Sequence, residues 1–233
     1  MSSHGQEAAV VYGTEDLLTS LCNSVCRVLN VATDCQVHYS GMVQRITKTC
    51  LKPDIGCFVL FDGGFSGLVV LNFSAQTAME LYQSYMISMG MPENELARAH
   101  TSDEVSNIMG ELMNQIVGDF TGKIRSELQT HITQNQPKML VLNKQVVLSV
   151  DTHLDNPEAR RVTFYTGKNN IFYLELAIDR TEFIKLHDFD ANEVVNPDEV
   201  IAHAQAHAQA QREISQPPET NNEHDNLLKS LGM

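Results

Sequence analysis

Basic residues are scarce in this chain: 16 Lys and Arg stand against 29 Asp and Glu, a net charge of −13, and no cluster of Lys or Arg interrupts the excess of acid. A phosphate backbone or an anionic membrane surface is repelled by such a chain, which excludes nucleic acid and acidic lipid as natural partners. Long apolar runs are missing too, since no stretch approaches the roughly 20 residues needed to span a bilayer. The opening residues MSSHGQEAAV have neither the charged nor the apolar region of a secretion signal. The expected location is cytoplasmic, with no membrane partner. Cysteine is sparse and odd in number, with Cys22, Cys26, Cys35, Cys50 and Cys57 forming no Cys-x-x-Cys pair, so reduced thiols are expected rather than a disulfide framework. Cys22 and Cys26 at i, i+4 could present two ligands on one helix face, but no neighbouring His or Cys completes a tetrahedral set, and buried small hydrophobes are the better reading. Tryptophan is absent, which decides nothing about the fold.

What is present reads as one generous domain with an appendage, in 233 residues. Leu17, Leu18, Leu21, Val25, Val28 and Leu29 recur at helical spacing and predict a helix over 14–31, with Thr14 placed to cap it and acids at 15 and 16. Short β-like runs follow, CQVHYS and MVQRITKTC, and then GCFVLF and FSGLVVLNF, which Asp62-Gly63-Gly64 joins as a hairpin. Ser74 caps a helix running to about Met89, whose Met-rich stripe is a core face rather than a promiscuous binding surface. A further helix is expected over 102–130. After Pro137 come three more strands, KMLVLNKQVVLSV, RRVTFYTG and NNIFYLELAID, the last two joined by a Gly-Lys-Asn-Asn turn. Strands in runs, rather than in strict alternation with helices, predict an α+β fold: an antiparallel or mixed sheet layered with helices.

The character of the chain changes at His187. From there to Met233, nine acids face only Arg212 and Lys229, so more than half of the net charge lies in the last fifth of the chain. Residues 187–215 are acidic and Ala/Gln-rich, with a helix start at Asn196-Pro197 and a helix expected beyond it. His203 and His207 fall at i, i+4 within it, where a solvated low-complexity helix is a better reading than a metal site. Residues 216–233 open as a flexible linker by composition.

The informative stretch is TSDEVSNIMGELMNQIVGDF, residues 101–120. At about 100° per residue, Glu104, Asn107, Glu111 and Asn114 share one arc of roughly 80°. Val105, Ile108, Leu112, Ile116 and Phe120 supply the core face, so a solvated stripe explains the amphipathicity. It does not explain the residue types, because asparagine is a weak helix former and occurs twice. Gly118 and Gly122 continue the same arc, and each mid-helix glycine costs about 1 kcal/mol relative to alanine. Bare backbone beside Glu and Asn lets another protein approach, so Gly118 and Gly122 read as a docking face. Thr101-Ser102-Asp103-Glu104 has the form of a capping box, giving Glu104 a local task that Glu111 lacks. Glu111 and Asn114 are therefore the primary candidates, with Glu104 and Asn107 as a secondary pair.

At these residues the chain resembles the CheX/CheC family of chemotaxis phosphatases. Their signature is Glu-x-x-Asn, 22 residues, then Pro, matched here by Glu111, Asn114, residues 115–136 and Pro137, with the family glycine at Gly118. FDGGFSGLVVLNFSAQTAMELYQSYM is similar to the hairpin, strand and helix that precede the family motif. The likeness covers about residues 10–180 and is closer to the single-motif CheX type. One position departs: Asn107 stands where the family usually has Asp or Ser. The resemblance implies a CheX-like domain over 10–186. It further implies removal of the aspartyl phosphate from a CheY-like receiver domain, with Asn114 orienting the attacking water and Glu111 pairing with the receiver's active-site Lys. No cofactor of the chain's own and no metal is implied, because the Mg²⁺ belongs to the receiver. A non-catalytic CheX-like module that binds a receiver or scaffolds remains the alternative. So does an oligomerisation module in which a sheet edge pairs two copies. Finally, Glu223, Asp225, Leu227 and Leu228 resemble the Glu-Ile-Asp-Ala-Leu-Leu peptide by which the flagellar switch protein FliM captures phosphorylated CheY, with His224 at the position of the Ile. A C-terminal amphipathic turn explains the same residues equally well.

Overall fold

The computed structural model describes residues 11–142, 144–150, 153–154 and 156–184. In chain order the elements are β1 (Val11–Tyr12), α1 (Thr14–Thr33), β2 (His38–Ile46), β3 (Thr49–Leu51), β4 (Ile55–Gly63), β5 (Gly67–Phe73), α2 (Ala75–Ser88), α3 (Asp103–Leu128), β6 (Ile132–Gln134), β7 (Lys138–Val141), β8 (Leu148–Val150), β9 (Pro157–Tyr165), β10 (Ile171–Asp179) and β11 (Phe183–Ile184). The expected helix over 187–215 with His203 and His207, the linker and the FliM-like residues Glu223, Asp225, Leu227 and Leu228 lie outside the described residues.

The main sheet runs β2-β9-β10-β5-β4-β6, with β7 also on β4, and its pairings are antiparallel. The fold is α+β, as expected. Period-two alternation gives each strand two lives. Ile55, Cys57, Val59 and Phe61 of β4, Val69, Leu71 and Phe73 of β5, and Phe172, Leu174, Leu176 and Ile178 of β10 face the helices and form one buried core with them. Leu68, Val70, Ala159 and Ala177 face the other way, under Leu51 and Leu142, with Val150 packed against them. A small ribbon of β3 and β8 lies beside them on that side. There Glu175, with no solvent exposure, takes Arg161 Nε and NH2 on Oε1 at 2.8 and 2.7 Å, the Cys50 N–H on Oε2 at 2.8 Å, and Lys52 at 3.8 Å.

The helices pack as their patterns demand. Leu17, Leu18, Leu21, Val25 and Leu29 of α1 are buried and Val28 packs against them. The Met-rich stripe of α2 is core: Ala78, Leu81 and Tyr82 are buried, with Met79, Tyr85 and Met86 against the cluster. Asp62-Gly63-Gly64 does lie where β4 turns into β5, but the glycines have a second role. The Gly64 N–H donates to His131 O at 3.0 Å, and a Cβ on Gly63 would fall 2.0 Å from that oxygen, so only glycine lets the chain leaving α3 cross the hairpin.

Four expectations need correction. Gly13, not Thr14, is the N-cap of α1; Thr14 is buried in the first turn, and the Gly13 N–H donates to Asp16 Oδ2 at 2.8 Å. The runs CQVHYS and MVQRITKTC merge into β2, which absorbs Gly41 as a register irregularity between Tyr39 and Val43, and then β3. KMLVLNKQVVLSV is two strands in different sheets, because the chain turns at Lys144 and Gln145 and sends β8 to β3. The capping box at 101–104 is shifted: Ser102 caps α3 and accepts the Val105 N–H, so Val105 holds the position from which Glu104 was to reach back.

Candidate functional site

Helix α3 has a wide buried arc. Val105, Met109, Leu112, Met113, Ile116, Val117, Phe120 and Ile124 are all 1% exposed or less, whereas Ile108 is half-buried at the margin. Sequence reading missed the two methionines and Val117, which widen the contact to the sheet and to α1. Directly opposite, Glu104, Asn107, Glu111, Asn114, Gly118 and Gly122 are every one exposed. The stripe is thus brought together as a continuous surface about five turns long, not covered by the domain's own sheet. An alanine at Gly122 would meet nothing within 4 Å, and one at Gly118 would meet only Gln134 Nε2, at 4.0 Å. The bare patch is real open space.

Two glutamines contact the primary pair. Gln115 Nε2, one turn on, donates to Glu111 Oε1 at 3.0 Å. Gln134 Nε2 donates to Asn114 Oδ1 at 3.1 Å across 20 residues of chain. The second contact exists because of how the chain returns from α3. Gln129 takes the left-handed conformation at φ 51° and ends the helix. The chain crosses the hairpin glycines and β6 then pairs antiparallel with the end of β4, Phe61 opposite Gln134 and Gly63 opposite Ile132. Alternation sends Ile132 and Gln134 to the helix side and Thr133 away: Ile132 is buried, Thr133 exposed. Arg125 NH2 donates to Ile132 O at 3.1 Å and fixes the strand against the helix. The 22-residue interval before Pro137 therefore contains the rest of α3, its left-handed stop and β6, and Pro137 separates β6 from β7, which continues along β4 through Phe58 to Ile55.

Beside the stripe, Asp119 pairs with Arg27 of α1 and with Lys123 at 3.6 Å, tying the two helices. Burial, and then the Arg27 charge, push the Lys123 ammonium below its usual range. The cysteines lie elsewhere. Burial, aided by Cys26, pushes the Cys22 thiol up to about 12, and burial pushes Cys26 up to about 11. Among the described residues no group of three or more His, Cys, Asp and Glu side chains could hold a metal, and no helix is long and apolar enough to cross a membrane. What the stripe offers is hydrogen-bonding groups: a carboxylate with roughly four acceptor sites, of which Gln115 takes one, and an amide with acceptor and donor capacity left over.

A family model described as "Protein of unknown function (DUF3334)" matches residues 8–233. No curated protein matches the sequence. Among solved structures, the chain is similar to a chemotaxis protein CheX from Desulfovibrio desulfuricans, with TM-score 0.58 and 16% identity over 70% of this chain and 99% of that one. It is similar to CheX from Vibrio vulnificus, with TM-score 0.57 and 13% identity over 70% and 99% of the two chains. It is also similar to the CheX–CheY–BeF3–Mg²⁺ complex from Borrelia burgdorferi, with TM-score 0.50 and 15% identity over 71% and 99%. At these identities the likeness establishes the fold, which is that of CheX.

Proposed function

The chain belongs to the DUF3334 family, whose model spans residues 8–233, and we propose that it removes the phosphoryl group from the aspartyl phosphate of a CheY-like receiver domain. The observation that carries this reading is the exposure of Glu111 and Asn114 on a helix face smoothed by Gly118 and Gly122, on a fold shared with a CheX solved together with CheY, BeF3 and Mg²⁺.

The chemistry asks little of this chain. An aspartyl phosphate is a mixed anhydride, and water attacking phosphorus releases the carboxylate and inorganic phosphate. The Mg²⁺ resident on the receiver neutralises the phosphoryl oxygens, so the partner supplies position and a hydrogen bond. Asn114 suits that task because an amide is neutral: it can hold water without repelling the phosphoryl group. Glu111 pairs with the receiver's lysine and holds the helix in register. Asn107, where the family usually has Asp or Ser, and Glu104 lie one and two turns earlier on the same exposed arc, where a receiver docked on α3 would extend.

The test is loss of phosphoryl label from a panel of receiver domains. Removing one well-placed stabilising hydrogen bond costs about 10²–10³ in rate, so Asn114→Ala should abolish most turnover while leaving binding. An Asn114→Ala variant as fast as wild type sinks the assignment. A wild-type chain that binds phosphorylated receiver and never accelerates loss of label makes it a capture module instead.

A further inference from the structure

The hydrogen bond between Gln134 and Asn114 joins a sheet edge to the middle of α3, and neither the periodicity of the helix nor the spacing of the motif accounts for it. Thr121, 6% exposed, sits two turns on from Asn114, and its hydroxyl lies 3.3 Å from Gln134 Oε1 and 3.2 Å from Gly118 O. Asn114, Gly118 and Thr121 follow at i, i+4 and i+7, so the Gln134 side chain lies along one ridge of the helix. It is anchored at its oxygen by Thr121, passes over the bare backbone at Gly118, and meets Asn114 with its nitrogen. Ile132, fully buried two residues earlier, and the Arg125 contact to its carbonyl hold the strand that delivers it.

We infer that Gln134 is a positioning residue for Asn114: it engages Oδ1 of the asparagine, so that one acceptor lone pair is occupied and the NH₂ group faces outward. This deepens the reading of Asn114 as the water-orienting group and rests on it. An exposed asparagine otherwise samples several χ1 wells and two amide orientations. A second amide that donates to its oxygen removes the flipped orientation, because two NH₂ groups cannot face each other without losing a bond. One neutral hydrogen bond biases such a population by up to about tenfold.

The experiment pairs two readouts on the full chain. The first is ¹⁵N relaxation of the Asn114 side-chain NH₂, without any receiver. It should report an ordered group in the wild type and a markedly more mobile one in Gln134→Ala. The second is turnover of a phosphorylated receiver. Gln134→Ala should lower kcat by about three- to tenfold with KM unchanged, and should add nothing to Asn114→Ala in the double variant. Gln134→Glu, which can only accept near neutral pH, should turn the Asn114 NH₂ inward and lower kcat at least as far. Equal mobility of Asn114 in wild type and Gln134→Ala overturns the inference whatever the chain catalyses. So does an Asn114-dependent activity that Gln134→Ala or Gln134→Glu leaves at the wild-type kcat. If Asn114→Ala retains full activity while the mobility changes, the anchoring of Asn114 stands and the phosphatase reading alone fails.

Discussion

Replacing Gly118 and Gly122 by alanine should make the protein more stable and less functional at once. Both glycines are helical and exposed. A methyl group at 122 meets nothing within 4 Å, and one at 118 reaches only ordinary contact with Gln134 at 4.0 Å. With no clash to offset it, each substitution should return most of the glycine penalty, about 0.5–1 kcal/mol, largely by restricting the unfolded chain. The pair should gain about 1–2 kcal/mol, and for a domain of this size 1 kcal/mol moves Tm by about 2–4 °C. The docking face tells the other half. Methyl groups forced into a well-packed contact cost about 1–3 kcal/mol, a roughly fivefold to hundredfold weaker complex. Thermal unfolding followed by circular dichroism measures the first effect. Because this chain has no tryptophan, the fluorescence of a tryptophan-bearing receiver measures the second without background. A fall in Tm would mean the surface is not open as described. An unchanged affinity in the double variant would remove Gly118 and Gly122 from any interface.

Two further outcomes follow from buried groups. Arg161→Ala strips Glu175 of its two shortest charged contacts and leaves a carboxylate with no exposure; such a loss costs about 3–5 kcal/mol in urea unfolding, whereas replacing both by apolar residues of similar volume should recover most of it. Equal destabilisation by the single and double changes would refute this. The raised thiols of Cys22 and Cys26 give a pH signature. The unfolded chain loses these protons from about pH 9.0, while the folded state holds them towards 12 and 11. Their contribution is therefore complete below that range and is lost as pH climbs through it. The urea midpoint should fall more steeply above pH 9.0 in the wild type than in Cys22→Ala/Cys26→Ala, and parallel profiles would count against it.

Local signals were the legible ones. The amphipathic spacing of Leu17 to Leu29, the Ser74 cap, the Asp62-Gly63-Gly64 hairpin and the stripe of α3 are each set within a few residues, and each stands where the pattern put it. Pairings between distant segments were not legible. Thr49 meets Val150 across 101 residues, β1 meets β11 from opposite ends of the described chain, and two- or three-residue strands carry too short an alternation to be read. The site divides the same way. Glu111 and Asn114 are visible because helical geometry alone aligns them, whereas Gln134 reaches Asn114 only after the chain has stopped at Gln129 and come back along β4. A glutamine in a three-residue strand has no mark of its own in the sequence.

The two margins of the main sheet are unequal. On one side lie β6 and β7, three and four residues long with Pro137 between them, and on the other lies β2, nine residues long and irregular at Tyr39 to Val43. Short, proline-broken margins make poor templates for a further strand. Among the described strands β2 offers the longer run of backbone for strand addition, and two copies joined there about a twofold axis would use up each other's open margin. Such an assembly stops at a pair instead of running on into a fibre. It would also leave α3, which packs against β4, β6 and β7 at the opposite margin, apart from the seam.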